Sequence, residues 1–314
     1  MTIDAEFNMT MKYVHVLTIN LLLGITFLGL SSTALAAEIL LRAPTEINAI
    51  SYIAIVGEIK AGDAKQFEEI LQKASPLIVV NLYSPGGDLI EAMNIAALVR
   101  EKFLITSAPD SLSCRTIQLD FPGWDWWPKN QPKELACTCN SACMAIWVAG
   151  VHRGGGSTYD VLENFDSREA GIGIHRPYFD KNYFSSLPAD EAETEYRRLT
   201  DLYFKFLAEM GTPESIIEET LAIPSDEIRF LQEAELERIR GYIPAIDEWL
   251  KAHCEVFSTE ESNELFDLWE KGRNRELSNA ERFYVEHLET KEEASRKCIR
   301  GLLIKEQRAR LNVQ

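Results

Sequence analysis

Histidine is scarce in this chain, five among 314 residues, so chemistry that needs an imidazole has few places to find one. Basic blocks are missing too. The chain has 32 lysines and arginines against 49 aspartates and glutamates, for a formal charge of −17. Such a surface repels phosphate backbones and anionic lipid headgroups, which argues against nucleic acid as a partner and against a membrane surface beyond the N-terminal segment. No phosphate-binding loop of the Gly-Lys-Ser/Thr kind occurs, so ATP-driven work is not expected. No CxxC pair and no paired histidines suggest a metal centre, and there is no internal repeat. What is present is ordinary for a folded protein: 46% hydrophobic and 26% charged residues, enough to bury a core.

One apolar run stands out, Val14 to Leu30, following Lys12. It carries His15, Thr18 and Asn20 and is short for a bilayer span. Ala34-Leu35-Ala36 follows, with small residues where a signal peptidase reads them. A cleavable signal peptide over residues 1–36 is therefore expected, and with it a periplasmic or secreted protein. An uncleaved inner-membrane anchor is the competing reading. Asp4 and Glu6 are unusual in such a leader, and Met11 offers a more ordinary start.

Beyond the leader, β-branched runs alternate with helical patterns. "AISYIAIVGEI", "LIVVNLY" and "FLITSA" read as buried strands. Between them lie a helix expected to be capped by Asp63 and another capped by Asp88. Strand, helix, strand, helix, strand is the pattern of a mostly parallel sheet. Residues 109–136 break it with three tryptophans and no periodicity, and read as a loop insertion. There Trp124, Trp126 and Trp127 either line a groove or pack the loop onto its own domain, and packing is favoured. "SACMAIWVAG" reads as a helix and "REAGIGIHRP" as a strand. A long amphipathic helix follows, with Leu199, Leu202, Phe206 and Met210 on one side. From about Pro244 the pattern is helical and highly charged.

The six cysteines are Cys114, Cys137, Cys139, Cys143, Cys254 and Cys298. Zinc lacks a ligand set, and CTC and CNSAC are not redox motifs. An oxidising compartment also works against Cys139 as a free nucleophile, so disulfides are the favoured reading. Spacing points to Cys254 with Cys298. Cys139 pairs with Cys143 if it precedes the helix; otherwise Cys139 or Cys137 reaches Cys114, and Cys143 is a small buried residue.

Three further pieces carry chemistry. "YSPGGD" places backbone N–H groups at a strand-to-helix turn, where they suit an oxyanion as well as a tight turn. "NSACMA" sets Ser141 at a helix start, as nucleophile or as mere N-cap. "GIGIHRP" ends a buried strand on His175, which is the default base if a base exists; a hydrogen-bonded structural histidine is the plainer alternative. In this order the pieces resemble the Clp-protease proteolytic subunit of the ClpP/crotonase superfamily. More closely they resemble exported ClpP-like bacterial proteins with "SPGG", "CxSAC" and "HRP". The resemblance covers roughly Ser51 to Ile243.

The tail lies outside the resemblance, and its charged helical pattern alone reads as a helical C-terminal extension over 247–314; the resemblance implies an α/β fold, a stacked ββα spiral with a mostly parallel sheet, over residues 37–246. It implies Ser141 as nucleophile, His175 as base, and Gly86 (with Gly87 beside it) and Ala142 as oxyanion hole. Asp226, with Glu227 next to it, is the candidate acid that orients His175. No cofactor or metal is implied, and the partners would be a peptide or protein substrate and further copies of the chain. The lead into the serine is "CTCN", where the family has a glycine-rich stretch. The implied activity is an ATP-independent serine peptidase or other hydrolase. The alternative is a catalytically inactive binding or scaffold protein of the cell envelope. An acyl-CoA enzyme of the crotonase type is disfavoured by export and by the missing basic patch.

Overall fold

The computed structural model describes residues 36–44, 50–118, 126–156, 171–178 and 181–311. The expected signal segment, apart from Ala36, lies outside them, as do Trp124 and most of the Gly-rich stretch before Gly171.

The apolar runs form strands where the chain alternates with helices. β1 (Glu38–Arg42), β2 (Ser51–Val56), β3 (Ile78–Tyr83), β4 (Ile105–Ala108), β6 (His152–Gly155) and β9 (Gly241–Tyr242) make one sheet in the order β1-β2-β3-β4-β6-β9. The four central strands are parallel and the two outer ones antiparallel. A smaller sheet has β5 (Thr138–Asn140), β7 (Gly171–Ile174) and β8 (Arg229–Phe230), with β5 and β7 parallel. Parallel neighbours need crossovers, here supplied by α1 (Asp63–Leu71), α2 (Leu89–Glu101) and the segment carrying α4 (Ala142–Val148). The protein is thus mixed α/β with a mostly parallel central sheet.

Asp88 caps α2 as expected, its carboxylate accepting from the Glu91 N–H. Asp63 does not cap α1: it is the first helical residue, after Gly62 in a left-handed conformation, and its carboxylate turns back to the Lys60 N–H. α4 is the centre of the core, with all seven residues buried. Trp147 fills its far side, donating from Nε1 to the Gly154 carbonyl, while Thr106 Oγ1 donates to the Trp147 carbonyl at 2.7 Å. The insertion is not a bare loop. It forms α3 (Ser111–Gln118) and a 3₁₀ turn (Lys133–Cys137), stapled by Cys114–Cys137. Trp126 and Trp127 pack against Tyr83, at ring separations of 6.1 and 5.4 Å.

Past β7 come α5 (Lys181–Ser185), α6 (Ala189–Glu209), α7 (Glu214–Ala222) and the single turn α8 (Glu233–Leu236). α6 buries Leu199, Tyr203, Phe206 and Leu207, whereas Leu202 is exposed. Of the expected stripe Leu199, Phe206 and Met210 are buried, and Leu202 alone is exposed. Arg153, almost fully buried, donates to the Met210 and Ile239 carbonyls, and Arg100 donates to those of Val148, Ala149 and Met210. Carbonyls at helix ends, the negative pole of the backbone dipole, take the place of carboxylates. Burial, and then the Arg100 charge, pushes Arg153 down to about 9.

The C-terminal extension is helical: α9 (Pro244–His253), α10 (Thr259–Asn274) and α11 (Asn279–Leu311). Cys254–Cys298 ties the end of α9 to α11, as the spacing predicts. α11 returns to the sheet, and residues Leu35–Gln314 form one compact unit. No helix among the described residues is long and apolar enough to cross a membrane.

Candidate active site

Parallel neighbours leave a sheet at the same edge, and in open α/β sheets ligands gather outside the carboxyl ends of the strands. Three such ends meet here. β3 runs into the Ser84–Asp88 turn, β5 into Ser141 and β7 into His175. An isolated parallel bridge from Ser84 to Cys139 ties the turn to β5: the Ser84 N–H donates to the Thr138 carbonyl and the Asn140 N–H to the Ser84 carbonyl. β5 and β7 pair with Asn140 opposite Gly173, and the Ser141 N–H donates to the Gly173 carbonyl at 2.8 Å.

Ser141 has φ 56° and ψ −121°, a conformation that L residues rarely adopt. Such strain costs about 1–3 kcal/mol and persists only where neighbours hold it. The Ser141 side chain makes no capping hydrogen bond to α4, so the reading of Ser141 as a mere N-cap fails. Gly86 lies directly against it. A Cβ on Gly86 would fall 2.8 Å from both Ser141 Cβ and the Asn140 carbonyl, and 3.3 Å from the Ala142 nitrogen. Gly86, at φ +103°, is thus a glycine for two reasons, its backbone angle and this close approach.

Of the two turn glycines, Gly86 has its N–H committed to Ser84 Oγ at 3.1 Å, and its carbonyl accepts from the Ile59 N–H. Among the described residues the N–H groups of Gly87 and Ala142 have no acceptor.

His175 is buried, and its Nδ1 lies 2.7 Å from the Arg176 carbonyl. A carbonyl only accepts, so Nδ1 is the donor in this contact, and in the neutral imidazole that leaves the lone pair on Nε2. Tyr178 stacks on the imidazole with ring centroids 5.9 Å apart. Asp226 lies on the α7–β8 connection at this same edge, since Arg229 pairs with Ile174 and the Arg176 N–H donates to the Ile223 carbonyl. It is exposed, as is Glu227, and neither bonds to His175 among the described residues. The orienting contact that sequence reasoning assigned to Asp226 is made by the Arg176 backbone, which carries no residue-type signal.

Two other residues escaped the sequence reading. Gly173 supplies the carbonyl that anchors Ser141, and a Cβ on it would fall 2.4 Å from Asn140 Oδ1. Asn140 is buried beside the serine, its Oδ1 without a hydrogen-bond partner. The "N" of "CTCN" and the "GIG" of β7 were the visible hints. Cys139 precedes α4 and bonds to Cys143, while Cys137 reaches Cys114. All six cysteines are paired, and Cys143 is not a lone buried thiol. No group of three His, Cys, Asp or Glu among the described residues is placed to hold a metal ion.

No family model and no curated protein matches the sequence. Among solved structures, a mutant of the 1510-N membrane-bound stomatin-specific protease is similar to this chain. It is 17% identical with a TM-score of 0.36, over 64% of this chain and 83% of that one.

Proposed function

We propose that this chain is a ClpP-like serine peptidase that works without ATP in an oxidising compartment outside the cytoplasm. The observation that carries the reading is Ser141 on a left-handed turn, with Gly86 pressed against it and no capping role for its hydroxyl. In this mechanism Ser141 Oγ attacks the substrate carbonyl while His175 Nε2 takes its proton. The N–H groups of Gly87 and Ala142 receive the oxyanion. His175 then protonates the leaving amine, and water, activated by the same nitrogen, releases the acyl group. The Arg176 carbonyl holds the imidazole in the tautomer this requires. Three disulfides fit export, and a cleavable leader over residues 1–36 would provide it. Substrates would be short or already unfolded chains.

A fluorophosphonate probe on the purified protein tests this. The expected result is stoichiometric labelling, abolished by Ser141→Ala and slowed at least about a thousandfold by His175→Ala. Asp226→Asn should label within about threefold of wild type, because the carbonyl and not the carboxylate meets Nδ1. A wild type that never labels would favour the second reading, a binding protein on the same scaffold, to which the exposed Asp226 lends support.

A further inference from the structure

We propose that the Cys139–Cys143 disulfide is a positioning element that holds Ser141 in its reactive conformation, so that the nucleophile becomes competent only after the bond forms. The inference rests on the hydrolase reading above. Only two non-glycine residues among those described have a positive φ, and Ser141 is one of them. Three backbone hydrogen bonds hold the turn: Asn140 N–H to Ser84, Ser141 N–H to Gly173, and Met144 N–H to Ser141. None of them spans it. The disulfide does, joining the middle residue of β5 to the second residue of α4 with Cα atoms 5.2 Å apart.

That separation discriminates between backbones. Four extended residues would cover roughly 13 Å, so the cross-link forbids β5 from running straight through Ser141. In a continuous helix residues four apart hold their Cβ atoms about 5–6 Å apart, beyond the roughly 3.5–4.5 Å that a disulfide spans, so an unbroken helix from Cys139 also fits the bond poorly. A strand, a sharp turn and a helix is the arrangement that the bond, together with the pairing of Cys139 with Ile172, leaves available. The segment that carries the nucleophile is thereby closed in the geometry that Gly86, Gly87 and Ala142 surround.

Both sulfurs are fully buried. The bond is therefore made during folding and shielded afterwards. Its formation takes two electrons and two protons from the Cys139 and Cys143 thiols and passes them to a disulfide-bearing oxidant, which leaves as a dithiol. In a reducing cytoplasm the clamp is open and the hydrolase latent; after export it closes.

The test compares wild type, a Cys139→Ala/Cys143→Ala variant and, as control, Cys254→Ala/Cys298→Ala, whose bond lies in the extension. Fluorophosphonate labelling rate, peptide kcat and KM, and thermal melting are measured on each. The clamp-free variant should stay folded at the assay temperature, label at least about tenfold more slowly, and lose kcat with KM little changed. The control should melt earlier yet label at the wild-type rate. Wild type refolded under dithiothreitol should label slowly, and the same sample unfolded and refolded with glutathione disulfide should recover the full rate. A folded clamp-free variant that labels like wild type overturns the clamp and leaves the hydrolase standing. A wild type that does not label overturns the hydrolase and the clamp with it. If the alanine variant does not fold, the reduced wild type decides: equal rates for the thiol and disulfide forms overturn the proposal. Failure of the reduced form to fold overturns it as well, making the bond a folding requirement rather than a positioning one.

Discussion

At the scale of single residues, the site is a matter of what is left out as much as what is present. Gly86 and Gly173 matter through their missing Cβ atoms, one making room for Ser141 and the other for the Asn140 carboxamide. Gly86→Ala tests this directly. The added methyl would lie 2.8 Å from Ser141 Cβ at a backbone angle that L residues avoid. Fluorophosphonate labelling of Gly86→Ala is expected to fall at least about tenfold, since a small displacement of a nucleophile is costly. A variant that labels at the wild-type rate would mean that the turn gives way easily and does not shape the site. The buried, unpartnered Asn140 Oδ1 is the second anomaly here, beside the strained serine. Unpaired buried polar atoms cost about 1–3 kcal/mol, and they cluster with backbone strain where function resides.

At the scale of elements, β6 and β9 show how burial sets a pH response. His152 pairs with Tyr242 across the two strands, their rings 4.5 Å apart. Burial, and then the Arg153 charge, holds the His152 imidazole below its ordinary value of 6.5. The folded chain therefore binds this proton less readily than the unfolded one. Stability from this group is present above 6.5 and is lost as pH falls from there toward the depressed folded value. Melting temperatures at pH 7.5 and 5 should show the drop, and His152→Phe, which keeps a ring and removes the titration, should flatten it. Equal slopes in both proteins would assign the acid sensitivity to other groups. Elements were legible where their signals are local. Asp88 was readable as a cap because cap chemistry needs only the next three residues. The inner face of α6 was legible at Leu199, Phe206 and Met210, all buried, but not at Leu202, which fits the apolar period yet is exposed, while Tyr203 and Leu207 are buried.

At the scale of the whole molecule, the helical extension and the site occupy opposite edges of the sheet. Gln307, near the end of α11, is fully buried. Its Oε1 accepts from the Ile78 N–H at 2.8 Å and its Nε2 donates to the Phe103 carbonyl at 3.0 Å. Ile78 begins β3, whereas the Ser84 turn follows its end. Leu303 packs there with Leu77, Phe103 and Val151. Gln307→Ala would strand a buried N–H and a buried carbonyl, and a loss of about 2–4 kcal/mol is expected in chemical denaturation, with the labelling rate unchanged. A parallel loss of labelling would instead couple the extension to the site.

The amino-acid sequence by itself determined the parallel-sheet pattern, the cap at Asp88, the Cys254–Cys298 pair and the three motifs that contain Gly86, Ser141 and His175. Each depends on hydrophobic period, turn chemistry or spacing, which act over a few residues or along one segment. Tertiary structure alone decided the rest. Strand register brought the ends of β3, β5 and β7 to one edge. The position of Cys139, before α4 and not in it, selected its bond to Cys143 and sent Cys137 to Cys114. The partner of His175 Nδ1 is a backbone carbonyl, a group every residue carries, so no residue type announces it and the carboxylate of Asp226 drew attention in its place. Contacts between backbones of distant segments leave no mark in the order of side chains, and here they decide which atoms surround Ser141.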